Sequence, residues 1–544
     1  MEISNARYIS LILSLLLSIS FPDTFAQKTD TSKFYNDSLN ALSLKHVTIV
    51  SDANIRRNNT YQFSVNEIKS LVSVVGEPDV LRYLGTLPGI SQGMEGGLGY
   101  FVRGSNSGNN RVELDGVPVY GNTHLFGLFS IFPSEIVESV NFMSGKIPAS
   151  SGNLLASVTQ ISTLSLDTGK IVGGLSLSPF IAGANIKGKL TDKIGFQVAG
   201  RYSLLNPVFR LLKSSFDMDG EVLPEVTDLY AKVHYRPIEN HEIDISGYYS
   251  NDYLKYSGNA DDNYNKIAIN WGNKIFRLSW NYQLSSRYSL KALAYYNDFY
   301  SGQEQQNYTD EKLRSELRLQ SRLKELSASV SLKYQKDNLG WELGYHANSR
   351  NIRPASEKMY IINNKTDELK DYTYNPDTHS SINAVYGELK YLYKLLEMNF
   401  GYRGNYYQSK NYSRWDNNIR ASLTVTLPGA SGIEISYDEF SQFHHIAEGL
   451  PAGWDLDLIM PSDNVFVPEK ARQYYTGTYW AKGKYHFSAG VYCKSMDNLI
   501  SYKNGANIFG VQNTNWQEEI TSGSGTSRGL EVRAELFKRT DSVY

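Results

Sequence analysis

Strict alternation of apolar with polar or small residues dominates the chain from about residue 166 onward. Residues 419–427 show it in full, with an apolar residue at every second position, and residues 396–402 and 485–493 repeat the pattern. Successive side chains on a β-strand point to opposite faces, so each segment predicts a strand with one apolar and one polar face. At this spacing, residues 166–544 hold about 16 strands.

The segments between these strands differ in length. Short polar turns are found at 191–193, 285–287, 336–338 and 428–432, and long polar loops at 204–225, 353–380 and 446–468. Tyrosine pairs recur near the ends of the expected strands, at 248–249, 295–296, 406–407 and 474–475. Short turns on one side, long loops on the other and aromatic girdles are typical of an outer-membrane barrel. The predicted fold class is therefore mainly β, a transmembrane antiparallel β-barrel, with an array of secreted β-sandwiches as the alternative.

Residues 57–165 show a different, mixed pattern that predicts a small α+β domain. Ser64 and Glu67 fit a capping box at the start of a short helix. A second helix is expected to begin at Pro78, a residue tolerated at the first helical position, and to run to Leu84. Asp115-Gly116 predicts the tight turn of a hairpin, because this dipeptide adopts the positive φ angles that such a turn requires.

The N-terminus carries an export signal. Within residues 1–26, Arg7 precedes an apolar run at 8–21 and a small residue, Ala26, at the expected cleavage site, as in a secretory signal peptide. The run is shorter than the ~20 residues that a membrane-spanning helix needs. Residues 27–56 are polar and lack periodicity, which predicts a flexible periplasmic arm. We therefore expect the mature chain at the cell outer membrane, in its lipid bilayer.

Composition excludes several function classes. Lys and Arg total 54 against 56 Asp and Glu, so no basic surface for nucleic acid is expected. The single cysteine excludes an intrachain disulfide and a cysteine-based zinc site. No His-Glu-x-x-His or Walker motif occurs, so we expect neither an enzyme nor a cofactor. Adjacent His444 and His445 would point to opposite faces of a strand and are not expected to share a metal ion. Acidic positions such as Glu434 and Asp438 are expected to line a solvated lumen.

Residues 78–164 resemble the plug domain of TonB-dependent outer-membrane receptors. The matching segments, in the family's order, are Pro78–Ile90, Phe101–Gly104, Leu114–Tyr120, His124–Ser130, Ile136–Gly145 and Ser157–Ile161. The stretch that starts at His124 is most similar to receptors of Bacteroidetes-type bacteria. Those receptors usually carry a small β-sandwich ahead of the plug, and the mature chain is too short there to hold one. The resemblance implies a barrel that contains the plug in its lumen.

The resemblance also implies a TonB box in the arm, a segment that pairs as an added strand with the TonB protein of the inner-membrane energising complex. The candidate is the one β-branched apolar stretch of the arm, which consists of Lys45 followed by His46, Val47, Thr48, Ile49 and Val50. Strand addition derives its affinity from backbone hydrogen bonds and its specificity from alternate side chains. The alternative is an ordinary stretch of the arm or a first strand of the plug.

Further site residues follow from the resemblance. Arg103, followed by Gly104, matches the family's arginine that pairs with barrel glutamates and locks the plug. Many members have a second arginine where this chain has Ser144, which puts a lock with two arginines in doubt. The plug motif also includes Asp115, Gly116 and Gly145.

We expect the ligand to contact the outer surface of the plug together with the long loops, because ligand sites are usually concave. The plug residues expected there are Gly96, Gly97, Tyr100, Tyr120 and His124. The ligand class stays open between siderophore, cobalamin-like cofactor, glycan and peptide.

Two functions of different class therefore remain. One is an active importer driven by TonB, and the other is an exported β-rich adhesin or glycan-binding protein without transport. A passive porin has no use for a plug. About 16 strands fall short of the 22 found in plugged transporters, so we also expect the C-terminal part of the barrel to be missing from the chain.

Overall fold

The computed structural model describes residues 59–69, 78–92, 99–125, 127–166, 169–216, 220–260, 263–310, 312–362, 369–374, 377–447, 458–503 and 516–536. The expected signal peptide, the arm with residues His46 to Val50, and the loop with Gly96 and Gly97 lie outside these ranges. Within them, no helix is both long enough and apolar enough to cross a membrane.

Residues 59–166 form the plug, a small domain built around one mixed sheet. Its strands are β1 (Thr60–Ser64), β2 (Ile90–Gln92), β3 (Tyr100–Val102), β4 (Asn110–Leu114), β5 (Val117–Pro118), β6 (Thr123–His124), β7 (Phe129–Ser130), β8 (Val137–Met143) and β9 (Ser157–Thr163). Its helices are α1 (Val65–Lys69), α2 (Val80–Leu84) and a 3₁₀ turn at Ser107–Asn109. The main sheet has the order β1-β8-β9-β4-β5, in which only β4 and β9 run parallel.

Local sequence signals explain the short elements of the plug. The Ser64 amide donates to the Glu67 carboxylate at 2.8 Å, as a capping box predicts. Asp79 caps α2 by accepting from two backbone amides, so this helix starts at Val80, two residues after the expected start at Pro78. Asp115 and Gly116 turn β4 into β5 with φ angles of 50° and 87°, which confirms the predicted hairpin.

Most of the other described residues form one large sheet, the wall. Its strands are β10 (Val172–Leu177), β11 (Ile181–Thr191), β12 (Ile194–Ser203), β13 (Glu221–Tyr235), β14 (His241–Ala260), β15 (Asn263–Gln283), β16 (Tyr288–Thr309), β17 (Lys312–Lys336), β18 (Leu339–Ile362), β19 (Leu369–Tyr374), β20 (Thr378–Tyr393), β21 (Leu396–Ser409), β22 (Tyr412–Leu427), β23 (Ser431–Gln442), β26 (Glu469–Lys482), β27 (Tyr485–Tyr502) and β28 (Ile520–Leu536). A separate hairpin consists of β24 (His444–Ala447) and β25 (Leu458–Pro461), and the loops hold α3 (Leu205–Phe216) and a 3₁₀ turn at Trp516–Glu519.

The wall is an antiparallel barrel sheet in which the strands pair in chain order. Among the described residues it has 17 strands, against about sixteen expected, and β18 pairs with both β19 and β20. After β23 the sheet continues at β26, because the hairpin β24–β25 leaves the wall. Strands β10 and β28 are the two edges of the sheet in the described part of the chain.

The loop prediction holds at one end of the barrel and needs correction at the other. Tight turns at 192–193, 284–287, 337–338 and 428–430 confirm the short end. At the other end, much of 353–380 belongs to β18, β19 and β20 rather than to a loop. Beyond the bilayer both faces of a strand meet water, so these extensions carry no alternation of apolar and polar residues that would reveal them.

The two faces of the wall have different chemistry. On β23, Ile433 and Ile435 are 44% and 53% exposed on the outer face, whereas Glu434 between them is 3% exposed and points inward. The tyrosine pairs assigned to aromatic girdles are divided in the same way, because neighbours on a strand face opposite sides. Tyr474 is exposed on the outer face, and Tyr475 is buried against the plug. Only one member of that pair is therefore available to a girdle.

Candidate functional site

The surface between plug and wall holds the main concentration of buried charge in the described structure. Arg103 of the plug makes a bidentate ion pair with Glu531 on β28, with Nε–Oε1 and Nη2–Oε2 distances of 2.8 Å. The two side chains are 1% and 3% exposed. Arg103 Nη1 donates to the Ser144 carbonyl at 3.0 Å. The guanidinium also lies 4.9 and 5.1 Å from the ring centroids of Tyr475 and Tyr492.

Asn59 extends this pair to a second wall glutamate. Its Oδ1 accepts from Arg103 Nη2 at 2.8 Å, and its Nδ2 donates to Glu434 Oε1 at 2.6 Å. Asn59 is fully buried, and Glu434 is nearly so. We call Arg103, Glu531, Asn59 and Glu434 the lock. Arg103 lies directly after β3 and Asn59 directly before β1. Glu434 lies on β23 and Glu531 on β28.

Lys146 of the plug adds a second cation beside the lock. Lys146 Nζ lies 3.7 Å from Glu434 and 3.8 Å from Glu397, and it donates to Thr424 Oγ1 at 3.0 Å. Ser144, at the second arginine's position in the sequence, contributes its backbone carbonyl to Arg103 instead. The plug therefore presents two cations to the wall at this point, although it has one arginine in the motif.

The electrostatics of the lock depend on every member being in place. Burial alone would lower the pKa of Arg103, but the hydrogen bonds and charge of Glu531 outweigh it and raise that pKa above its usual value. Arg103 therefore stays charged. Removing one partner of a buried ion pair leaves the other charge without compensation, which typically costs about 3–5 kcal/mol.

Gly89 and Gly145 have no side chain, and this gives Glu531 and Asn59 of the lock the room that they need. A Cβ at Gly89, where φ is 73°, would lie 2.0 Å from Glu531 Oε1, so any side chain there displaces the glutamate. A Cβ at Gly145 would lie 3.0 Å from Cγ and Oδ1 of Asn59. Gly104 follows Arg103 in the left-handed region, with a φ of 72°. Of the glycines in the predicted motif, Gly145 borders the lock through Asn59, and Gly104 follows Arg103 directly.

A second buried charge cluster surrounds His124 of β6. His124 Nδ1 lies 2.6 Å from Asp252 Oδ2, and Nε2 lies 2.9 Å from Asp228 Oδ2. Arg201 bonds the same Asp228 oxygen at 2.6 and 3.0 Å, and Tyr248 donates to the other oxygen at 2.9 Å. His124 is 0% exposed. The expectation that His124 faces a ligand is therefore corrected: in this structure it joins the plug to β13 and β14.

His124 is positioned to carry a proton. Burial alone would lower the pKa of His124, but the carboxylates of Asp228 and Asp252 outweigh it and raise that pKa to about 9. At neutral pH both ring nitrogens carry hydrogens and donate to the two aspartates. The site is then a buried cation between two wall anions.

Tyr120 also contacts the wall. Its hydroxyl donates to Glu325 Oε2 at 2.8 Å, and the other Glu325 oxygen accepts from Tyr295 at 2.5 Å and from Asn348 at 2.6 Å. Arg350 completes the cluster at 3.3 Å from Glu325. Tyr120 is half-buried here, which limits its contact with a ligand.

The side chains of Tyr100 and Asp115 form hydrogen bonds inside the plug. Tyr100 is 2% exposed, and its hydroxyl lies 2.8 Å from Thr159 Oγ1 inside the plug, so it is not on the ligand-facing surface expected for it. The Asp115 carboxylate accepts from the Thr163 amide at 2.8 Å and the Thr163 hydroxyl at 2.6 Å. The carbonyl of Asp115 accepts from Arg277 of the wall at 2.9 Å, so the turn with Gly116 rests on β15.

A plug loop at 147–151 is held through its backbone. Arg403 donates to two of its carbonyls at 3.1 and 3.3 Å. Arg420 donates to three more, two of them at 2.8 and 3.0 Å. Glu388 accepts from the Ala149 amide at 3.0 Å. Wall arginines thus satisfy carbonyls that this irregular loop leaves without partners in a sheet.

The hairpin β24–β25 folds into the lumen over the plug. Ile459 is 1% exposed and packs with Phe299 and Ile352 of the wall in a cluster that also contains Tyr120 of the plug. The Tyr407 hydroxyl donates to the carbonyl of the residue that follows β25 at 2.7 Å. The predicted polar loop at 446–468 is therefore, in its described part, a buried cover at the long-loop end of the barrel.

His444 and His445 both lie in this hairpin, and each contacts a different partner outside it. His444 Nδ1 lies 3.0 Å from the amide nitrogen of Asn153 in the plug, and His445 Nδ1 lies 3.0 Å from Glu469. Across the described ranges, no group of three or more His, Cys, Asp or Glu side chains has the arrangement of a metal site.

Neither Asn59 nor the wall residues that hold the plug could be identified from the sequence. The expectation that Glu434 and Asp438 line a solvated lumen is wrong, because they are 3% and 1% exposed. Alternation shows that a side chain points inward, but it does not show whether water or a packed domain fills the lumen. The available signal was the charge at inward positions in the middle of strands, such as Asp228 and Glu325.

Comparisons with known proteins cover nearly the whole described chain. Residues 220–542 match the family model "TonB dependent receptor-like, beta-barrel", and residues 45–157 match "TonB-dependent Receptor Plug Domain". The second match begins at Lys45, the first residue of the TonB-box candidate. No curated protein sequence matches significantly.

Solved structures with the same fold are distant in sequence. The siderophore receptor PirA of Acinetobacter baumannii superposes with a TM-score of 0.59 at 14% identity, covering 88% of this chain and 78% of PirA. The ferric yersiniabactin uptake receptor FyuA of Yersinia pestis gives a TM-score of 0.61 at 13% identity, with 88% and 76% covered. The copper transporter OprC gives 0.63 at 13% identity, with 88% and 77% covered. These similarities establish the fold.

Proposed function

The chain belongs to the TonB-dependent receptor family, whose members are outer-membrane β-barrel receptors and transporters rather than enzymes, and we propose that it binds an extracellular ligand and imports it actively. In this proposal TonB, acting through the arm, remodels the plug after the ligand has bound. The unknown ligand is small, and its class remains siderophore, cofactor, glycan or peptide.

The observation that carries the proposal is a plug fastened inside the barrel by buried charge. The Arg103–Glu531 pair and the His124 cluster join the plug to opposite parts of the wall sheet, on β28 and on β13 and β14. Such a plug does not move aside without work, since each broken buried pair costs about 3–5 kcal/mol. Neither ATP nor an ion gradient is available at the outer membrane, so the work has to be delivered mechanically from the inner membrane.

The same fastening distinguishes an importer from an adhesin. An adhesin or glycan-binding surface protein uses its outer loops, and a plug tied to the wall by at least two charge clusters adds nothing to that role. A barrel whose lumen is closed by a separable domain fits a gated route for a ligand. The family membership supports the same conclusion.

Within the proposal, the ligand first meets the long-loop end of the barrel. The hairpin β24–β25 covers the plug there, while Tyr100, Tyr120 and His124 are engaged in packing. We therefore assign first contact to the outer loops and to the plug loop with Gly96 and Gly97, and we assign binding of TonB to residues 46–50.

The experiment begins with a deletion strain grown on defined iron and carbon sources, which identifies a nutrient whose use depends on the gene. Uptake of that labelled nutrient is then compared between the natural chain and Ile49→Pro, because proline removes a backbone donor that strand addition needs. Ser38→Pro, elsewhere in the arm, is the matched control. We expect uptake to be lost in Ile49→Pro and kept in Ser38→Pro. Uptake that persists unchanged in Ile49→Pro, and after deletion of residues 47–50, would overturn energised import.

A further inference from the structure

Asn59 lies where the arm joins the plug, and it belongs to the lock through both its backbone and its side chain. Its carbonyl accepts from the Ser144 amide at 3.0 Å, next to the first pair of the β1–β8 ladder, Thr60 with Met143. Its side chain bridges Arg103 and Glu434. Asn59 is fully buried. Any displacement of the chain at this point therefore acts on the lock.

The position of β1 makes such a displacement easy to transmit. Strand β1 is an edge of the plug sheet and pairs only with β8 in the described structure. A pull on its N-terminal end peels an edge strand one pair at a time, starting at Asn59. The next wall contact along the strand is Tyr61, whose ring lies 5.0 Å from the Arg533 guanidinium carbon. Among the described residues, the lock is thus the first contact with the wall that a pull on the arm reaches.

We propose that Asn59 is the coupling residue of the plug: withdrawing it by the arm removes one ligand of Arg103 and the partner of Glu434 in the same step. Arg103 then keeps Glu531 and the Ser144 carbonyl but loses a charge-assisted hydrogen bond. Glu434 is left with Lys146 at 3.7 Å. Release of the arm and weakening of the lock are therefore one event rather than two.

The surrounding residues fit this role. Gly145 gives the Asn59 side chain its space, since a Cβ at that glycine would lie 3.0 Å from Asn59 Cγ. An amide is also the group that the site requires, because it offers an acceptor to Arg103 and a donor to Glu434. Aspartate has no donor for Glu434 when ionised, and alanine has neither group.

The physiological meaning of this coupling rests on the proposed function, but the coupling itself can be tested without TonB. The full chain, reconstituted in liposomes, carries Ser38→Cys for a DNA handle and Cys493→Ser so that only the arm is labelled. A constant force on the arm in optical tweezers gives the lifetime of the docked state of Asn59 and β1. The measurement stays valid if TonB proves not to be the partner.

Asn59→Ala is expected to shorten this lifetime about 10- to 100-fold, because it removes two hydrogen bonds to charged partners. Gln62→Ala, at an exposed position of the same strand, is the control and should change it by no more than about twofold. When Glu531→Gln has already weakened the lock, the effect of Asn59→Ala should shrink strongly. An unchanged lifetime in Asn59→Ala, or an effect that is independent of Glu531, overturns the proposal.

A pair of isosteric variants separates coupling from a general loss of folding. Asn59→Asp keeps the shape and the acceptor for Arg103 but places a carboxylate beside Glu434, so the lifetime should fall. Adding Glu434→Gln supplies an amide donor to the new aspartate and should restore the lifetime to within about twofold. Failure of the double variant to recover, with Glu434→Gln alone close to the natural chain, contradicts the bridging role of Asn59.

Discussion

Arg103 and Glu531 lie 428 positions apart in the sequence and meet as a buried bidentate pair. The arginine follows a short plug strand, and the glutamate stands on the last described strand of the wall. The pair therefore joins the plug to the last described strand of the wall. It also determines which substitutions test the fastening of the plug.

We predict that Glu531→Gln destabilises the docked plug by about 3–5 kcal/mol, because the buried Arg103 loses its compensating charge. Hydrogen exchange of the β8 and β9 amides in detergent measures this free energy. Asp377→Asn is the control, since Asp377 and Arg353 form an exposed pair with the same 2.8 Å contact, worth about 0–1 kcal/mol. Equal effects of the two substitutions would show that the buried pair does not hold the plug.

Gly89→Ala should disrupt the lock from the opposite side. The new methyl group would lie 2.0 Å from Glu531 Oε1, so the glutamate must leave Arg103. Gly429→Ala is the matched control, because φ there is 81° and a Cβ meets nothing within 4 Å. Both variants bear the backbone strain of a left-handed alanine, about 1–2 kcal/mol, and only Gly89→Ala adds the loss of the ion pair. Equal exchange rates of the β8 amides in the two variants would refute the contact.

The His124 cluster predicts a pH-dependent fastening. The pKa of His124 is raised to about 9 in the folded chain from an unfolded value near 6.5, so the charged imidazole contributes stability. That contribution is fully present below about pH 6.5 and is lost as the pH rises through about 9. Its facing groups are Asp228, Asp252, Arg201 and Tyr248.

The check is hydrogen exchange at β6 and β7 between pH 6 and pH 10, corrected for intrinsic rates, in the natural chain and in His124→Gln. Protection should fall above about pH 9 in the natural chain and stay flat in the variant. A histidine NMR titration with a midpoint at or below 6.5 would contradict the assigned charge.

The packing of the hairpin β24–β25 against the wall predicts that a cavity made at Ile459 loosens the hairpin locally. Ile459 is 1% exposed between wall strands, so Ile459→Ala should cost about 2–5 kcal/mol and loosen the hairpin. Val465→Ala, at a position that is 58% exposed, should cost less than about 0.5 kcal/mol. We expect faster hydrogen exchange of the Ile446 amide in Ile459→Ala but not in Val465→Ala. Equal exchange in both would mean that the hairpin is not held by this packing.

Local and periodic features could be predicted from the sequence, because their causes lie within a few residues. The turn at Asp115-Gly116 follows from the φ angles that these residues tolerate. The wall strands follow from alternation over segments such as 419–427. The plug followed from a series of short segments in the family's order. Each of these signals is carried by neighbouring positions.

Features that depend on distant contacts could not be predicted in the same way. Nothing near Arg103 names Glu531 as its partner, and nothing near Asn59 indicates that its amide bridges two charges. The sequence predicts that His124 faces a ligand, because ligand sites are usually concave, yet here Asp228 and Asp252 bury it. The hairpin around Ile459 was assigned to a polar loop because its apolar strands are only four residues long.

Energised import is tested most directly by photo-crosslinking from the arm to TonB in living cells. A photoreactive residue is placed at Thr48, within the TonB-box candidate, and at Ser38 as the control in the same arm. We predict a TonB adduct from position 48 that increases when the imported nutrient is added, with little or none from position 38. The absence of an adduct from position 48 under every condition, while the chain is present and folded in the outer membrane, would contradict import driven by TonB.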